Sequence, residues 1–444
     1  MADATDKEAT DAAAPVAAAG PRRWPYVTVG LILLAIGLLR GCGDDFPAAA
    51  WTQPADGDWG GGHFVGWAAD GEHFYLTTNE VNEGGDTTPR LLRIESATGR
   101  VVGETAFPPS PRSFVAEPRP FCELPDGRLA IALDDGVHVR RFEDGFALAV
   151  SPADRLAEME RVRKVGADDE PHHLPDAFWP VDPTDSLTDL AVESGPQPRL
   201  VAVVLTSSPD PATGRALLTY RIHRIDPDTM KSEPVDLGPP TPAGQFTLLP
   251  SARGGVLYGM TPGGNVQAVA IRFDDPGART ALPVYEPFGL QPVDDEMLLG
   301  SAPPVATSGV TLPQWLTALP LDGSKPRRLM DAPLSAAPPY LPSRPAVGPG
   351  GWIATEFVDE RTTPGLGAWF VRHRHHRVLA KANAARDGLE AIVRSHRSTT
   401  TIFGVRVGPD PSISLLSISP DGRWLLRKPA DGSVEMFDLD GLAE

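Results

Sequence analysis

From Phe46 onward the chain is written in short apolar runs, each closed by a turn that pairs glycine with aspartate or threonine. Phe64–Ala68, the turn Asp70-Gly71, His73–Thr77 and Arg90–Glu95, closed by Thr98-Gly99, form a first unit. Pro120–Leu124, Asp126-Gly127, Leu129–Leu133, Asp135-Gly136 and Val137–Phe142 form a second. Later units are Leu200–Leu205 with Ala216–Ile225, Phe246–Leu249 with Val256–Met260 and Gln267–Phe273, and Gln314–Leu321. Two more are Trp352–Phe357 with Ala368–Arg374, and Thr401–Val407 with Ile413–Ile418, Trp424–Leu426 and Val434–Leu439. Alternating runs of this length, separated by turn residues, predict β-strands. Asp-Gly supplies the positive φ that tight strand connections need.

The spacing chooses among all-β architectures. Units recurring at about 40–50 residues point to radial repetition rather than to a sandwich. The fold class read from the pattern is therefore all-β, a β-propeller of about six to seven four-stranded blades at residues 63–444. A propeller closes by pairing the two ends of its chain in one blade, which removes an open edge. The last unit ends one strand short at Leu439, so residues near Phe46–Trp51 are expected to supply the missing strand. One stretch departs from the β pattern: Ser151 as cap, Pro152 at the first helical position, and Leu156, Met159, Val162 and Val165 at helical spacing before Gly166. These residues predict a short helical insertion at 152–166.

Ser419-Pro420-Asp421-Gly422-Arg423-Trp424 resembles the repeat motif of TolB-like β-propellers. Leu316–Leu321 followed by Asp322-Gly323 resembles the outer half of that repeat, and Leu124-Pro125-Asp126-Gly127-Arg128-Leu129 is a further echo. The clean motif spans a single unit. The resemblance implies a periplasmic propeller that binds envelope proteins.

The N-terminus bears on placement. Residues 1–23 are alanine-rich and polar and read as a disordered cytoplasmic tail. Arg22 and Arg23 precede Trp24–Leu39, which holds no charge. At helical rise this run spans roughly 24 Å, a little less than the ~30 Å hydrocarbon layer. Trp24 and Tyr26 stand where an interfacial aromatic belt would lie, and the arginine pair against Asp44 and Asp45 orients the tail inside. Residues 24–41 are thus read as an N-terminal transmembrane helix, a signal anchor. A lipoprotein signal is the alternative, because Leu39-Arg40-Gly41-Cys42 resembles a lipobox with Cys42 as the lipidation candidate, though Arg40 departs from its pattern. A cleaved signal peptide is a third possibility. Each reading exports the remainder, with 42–62 as a linker, and places the propeller outside the membrane of a bacterial cell envelope.

Composition narrows the partners. A formal net charge of −18 argues against a nucleic-acid partner, whose phosphates demand a basic face. Cys42 and Cys122 are too few for a disulfide framework, and Cys122 reads as a buried, inert thiol. Against the acidic background stands one basic run, Arg372, His373, Arg374, His375, His376 and Arg377. Arg372, Arg374, Arg377, His373 and His375 are the candidate partner-binding residues, suited to an acidic partner or to anionic headgroups. On a strand, His373 and His375 share one face, and Arg372, Arg374 and His376 the other.

Other clusters are weaker. Asp168, Asp169, Glu170, His172, His173 and Asp176 have metal-binding residue types without ligand spacing and read as a solvated loop. Asp56, Asp58 and His63 among glycines match no phosphate motif and read as linker. No Gly-x-Ser-x-Gly elbow, Cys-x-x-Cys pair or His-Glu-x-x-His motif occurs, so no catalytic, cofactor or metal residue is assigned. The expected function is a membrane-tethered scaffold that binds an envelope protein. The alternative is a propeller enzyme, a metal-assisted hydrolase or lactonase-like, with its site at the central channel.

Overall fold

Leu129, Ala130, Ile131, Ala132 and Leu133 are all buried, so this strand must be covered on both faces. Leu129, Ile131 and Leu133 pack with Val65, Tyr75 and Leu91, whereas Ala130 packs with Leu190, Leu200 and Ala202. Successive side chains of one strand thus enter two different cores, the sheet before and the sheet after. The arrangement recurs: Leu200, Ala202 and Val204 face one way and Val201 and Val203 the other. Phe74 and Leu76 likewise oppose Tyr75. Each fully buried aliphatic or aromatic side chain contributes about 1.5–3 kcal/mol.

The architecture is taken from a computed structural model describing residues 46–442 apart from several stretches, the larger ones being 109–119, 149–177, 301–316 and 329–345. The described strands form seven antiparallel sheets of four or five strands. β1 (Trp51–Gln53) belongs to the last of them. The first sheet runs β2 (His63–Trp67), β3 (His73–Val81), β4 (Thr87–Glu95), β5 (Val101–Ala106). The second is β6 (Phe121–Glu123), β7 (Leu129–Leu133), β8 (Gly136–Arg140), β9 (Phe178–Pro180). The third holds β10 (Asp185–Glu193), β11 (Arg199–Pro209), β12 (Ala216–Ile225) and β13 (Ser232–Val235), with β14 (Thr241–Pro242) also on β12. The fourth is β15 (Gln245–Pro250), β16 (Gly254–Met260), β17 (Val266–Arg272), β18 (Arg279–Leu282). The fifth is β19 (Gln291–Asp294), β20 (Met297–Gly300), β21 (Thr317–Pro320), β22 (Arg327–Arg328). The sixth is β23 (Ala346–Val347), β24 (Trp352–Thr363), β25 (Gly367–Ala382), β26 (Leu389–Ile402), β27 (Val405–Val407). The seventh orders β28 (Leu415–Ile418), β29 (Trp424–Lys428), β30 (Val434–Asp438) and then β1.

The first strands of successive sheets lie beside one another from β2 through β28. The seventh sheet packs on the first through Trp424, Leu426 and Met436 against Phe64, Phe74 and Leu76, and Trp67 Nε1 donates to Ser417 Oγ at 2.8 Å. A closed succession of radial sheets is a β-propeller.

Chain ends meet as the pattern requires, slightly later than expected. Trp51, Thr52 and Gln53 pair with Met436, Glu435 and Val434, and Ala50 N–H donates to the Met436 carbonyl at 2.7 Å. Phe46 packs edge-on against Phe437 instead of entering the sheet. Within the stretch 42–62, expected as linker, Trp51 and Trp59 join the core with Phe74. Two indoles supply more apolar surface than a solvated linker would expose, so the domain begins ahead of His63.

One turn recurs. At Ala68–Glu72, Leu124–Arg128 and Ser419–Arg423, glycine N–H donates to the carbonyl three residues back, at 2.9–3.0 Å. In each, the aspartate carboxylate accepts the N–H two residues on. Gly71, Gly127 and Gly422 hold φ of 73°, 80° and 75°, a region closed to most L-residues. Pro320–Ser324 repeats the turn. The turns also join neighbouring sheets: Arg128 Nη2 donates to Asp228 Oδ1 at 2.7 Å, and Ala69 N–H donates to the Glu123 carboxylate.

Thr401–Val407, expected in the last unit, instead closes the sixth sheet as the end of β26 and β27. The predicted helix at 152–166 and the segment 24–41 lie outside the described residues. Among the described residues the only helical elements are three-residue 3-10 turns, and no helix is long and apolar enough to cross a membrane.

Candidate functional site

The basic run falls on the longest strands of the described chain. β24, β25 and β26 contain 12, 16 and 14 residues, whereas β7 and β29 contain 5 each. The three strands form a ribbon longer than the strands of the adjoining seventh sheet, β28 to β30, which hold 4 or 5 residues each. Registration assigns its faces. Arg372 lies opposite Arg361 and Thr400, Arg374 opposite Asp359 and Ser398, and His376 opposite Phe357 and His396. Val378 lies opposite Arg394 on the same face. That face carries Arg361, Arg372, Arg374, Arg394, His376 and His396 against the single acid Asp359.

The other face is charge-matched at its root. His373 stands opposite Glu360, and Arg377 opposite Glu356. His375, Arg377 and Glu356 are buried, together with Arg427 of β29. Glu356 Oε1 accepts from Arg427 Nε and lies 3.7 Å from Arg377 Nε. Its Oε2 lies 3.2 Å from His375 Nε2 and accepts the Ser414 N–H at 3.1 Å. Arg427 Nη1 donates onward to Glu435 Oε2 at 2.8 Å. Burial alone would raise the Glu356 pKa, but the His375 contact and the Arg427 charge outweigh it and hold the carboxyl at about 2. Desolvation opposes the Arg427 charge too, and Glu356 and Glu435 more than offset it, so its pKa is raised. This cluster ties the sixth sheet to the seventh.

The five candidate residues thus divide. Arg372, His373 and Arg374 occupy the extended part of β25, while His375 and Arg377 are withdrawn into the junction. These two serve cohesion because Glu356, one strand across, reaches them and also holds Arg427, one sheet across. Cys42 lies outside the described residues. So do 168–176, the acidic stretch with two histidines.

Elsewhere, Asp70, Glu72 and His73 bring one ligand atom each within 4.8 Å of one another in the first Asp-Gly turn. Both acids are exposed, and Asp70 Oδ1 already accepts the Glu72 N–H at 2.9 Å to hold the turn. His63 and Asp56 are exposed, although partial desolvation of the His63 ring and then the Lys428 charge lower the His63 pKa. Cys122 is a free thiol, half-buried rather than fully buried as expected, and desolvation pushes its pKa far up, which suits an inert cysteine. Sequence reasoning missed a buried pair: His138 Nε2 lies 2.7 Å from Asp135 Oδ1, and the ring packs on Phe178. The only sequence signal was a histidine three residues past an aspartate, straddling a turn.

The topology defines the class of protein, a β-propeller. No protein-family model matches the sequence, and no curated protein matches it. Among solved structures, the chain is similar to the WD40 domain of SCAP from fission yeast, at 9% identity and TM-score 0.40, over 85% of this chain and 82% of that one. It is also similar to a puromycin-hydrolyzing peptidase of Mycobacterium tuberculosis, at 12% identity and TM-score 0.41, over 86% of this chain and 62% of that one. A chain in the mitotic checkpoint complex aligns at 12% identity and TM-score 0.39, over 98% of both chains.

Proposed function

We propose that the protein is a membrane-tethered scaffold of a bacterial cell envelope, whose propeller stands outside the membrane and binds an envelope protein through the ribbon of the sixth sheet. The observation that carries this is the ribbon itself. A protein of net charge −18 gathers four arginines and two histidines on one face of its longest strands. A local positive field on a negative body steers and orients a partner of opposite sign. The uncharged run Trp24–Leu39 behind Arg22 and Arg23 supports the tether and its orientation. The likeness of Ser419–Trp424 to the TolB-like repeat supports a periplasmic setting.

The test is affinity capture from detergent-solubilised membranes by the full chain and by Arg372→Glu/Arg374→Glu/Arg394→Glu. The reading expects one stoichiometric envelope protein with the natural chain and its loss with the variant. Equal recovery by both, or no stoichiometric partner, sinks it. Protease added outside intact spheroplasts should digest the propeller; full protection would overturn the placement.

A further inference from the structure

Every propeller sheet ends in an outer strand with one open side, and in the sixth sheet that outer strand covers only the end of the long strand beside it. The outer strands β5, β9, β13, β18, β22 and β1 hold 6, 3, 4, 4, 2 and 3 residues. In the sixth sheet, β27 covers β26 only at Thr400, Thr401 and Ile402. Residues 389–399 are therefore paired with β25 on one side and, among the described residues, with no strand on the other. Alternate residues of such an edge present their N–H and C=O groups outward, which is a template for another strand.

The composition of this edge selects its occupant. Arg394, His396 and Arg397 stand on it with Glu390 as the only acid, and Arg372, Arg374 and His376 stand one strand inward. A second copy adding here would set these cations against themselves, which is unfavourable for directly opposed residues. An acidic strand would set carboxylates beside them on both faces, since Arg394 and His396 lie on one face and Arg397 on the other. Resting on the scaffold reading above, we infer that the partner contributes an extended, acidic segment that adds to the 389–399 edge as a further strand of the sixth sheet. Backbone hydrogen bonds hold it, and the arginines select its charge.

The probe is a fluorescein-labelled heptapeptide alternating glutamate with valine or threonine, titrated with the full chain in detergent micelles and read by anisotropy. Three comparisons accompany it: the same peptide N-methylated along one edge, a glutamine peptide, and the variant Arg394→Glu/Arg397→Glu, whose circular dichroism must match the natural chain. A milder variant, Arg394→Gln/Arg397→Gln, replaces it should the first fail to fold. The inference expects saturable binding of the acidic peptide, weakened about tenfold or more by N-methylation, by neutral residues and by charge reversal. Undiminished binding of the N-methylated peptide overturns strand addition and leaves charge attraction, and with it the scaffold reading, intact. Affinity indifferent to charge reversal overturns the site. Binding to phosphatidylglycerol vesicles with none to the peptide overturns the partner class and assigns the ribbon to the membrane surface.

Discussion

Replacing Glu356 by glutamine changes one atom type in a side chain only 2% exposed. Around it lie the guanidinium groups of Arg427 and Arg377 and the ring of His375, with Glu435 as the second carboxylate. Two carboxylates balance two guanidiniums; after the substitution one carboxylate faces two. Glutamine also turns an amide NH₂ toward either the Arg427 side or the Ser414 N–H and His375 side, opposing donor to donor. Breaking a buried pair from one end costs about 3–5 kcal/mol. Urea denaturation of the full chain at neutral pH, read by tryptophan fluorescence, should show that loss. A variant within about 1 kcal/mol of the natural protein would refute the claim that this cluster joins the sixth and seventh sheets.

The acid limb supplies an independent check. The Glu356 carboxyl titrates at 4.5 when unperturbed and at about 2 in the fold. Because the folded value is the lower one, its contribution is complete above about 4.5 and declines as pH falls toward 2. That shift corresponds to about 3 kcal/mol, and the slope of stability against pH in this window should flatten in Glu356→Gln.

Three further outcomes follow from the packing. Trp51→Ala removes an indole that stacks on Phe74 and donates from Nε1 to the Ser96 carbonyl at 2.7 Å; a loss of about 3 kcal/mol in denaturant titration is expected, and a neutral result would contradict closure by β1. Gly422→Ala should destabilise more than Gly127→Ala, because a Cβ at Gly422 would lie 2.8 Å from the Pro349 carbonyl while one at Gly127 meets nothing within 4 Å. Only the positive φ, about 1 kcal/mol, then opposes the second substitution, and calorimetry that reverses the order would refute the turn-to-turn contact. In Cys42→Ser protein the remaining Cys122 thiol should resist iodoacetamide at neutral pH until denaturant is added, since burial raises its pKa; rapid labelling of the native chain would contradict that.

The strands buried on both faces were legible because burial on two sides writes a continuous apolar run, as in Leu129–Leu133. Turns were legible because Asp-Gly has one dominant conformational use, borne out at Gly71, Gly127 and Gly422. Less legible were β10, β19 and β20. β10 carries Asp185, Asp189 and Glu193 and breaks register between Leu187 and Asp189, so no periodicity announces it. β19 and β20 are too short at 4 residues each. The basic run was visible as composition, yet its division was not. Whether His375 is solvated depends on Glu356 and Arg427, far along the chain, and only strand registration brings them together. Asp135 and His138 were missed for another reason: they are near in sequence, but one reads as a turn and the other as a strand.

The proposed meeting of the sixth sheet's ribbon with an envelope protein is open to direct measurement. A photo-reactive amino acid placed at Ser398, on the basic face of β26, tests it in living cells, with the same group at Ser433 in the seventh sheet's turn as control. A single cross-linked envelope protein at 398 that is absent at 433 is the expected result. Equal cross-linking at both positions, or none at 398 in folded protein, would contradict it.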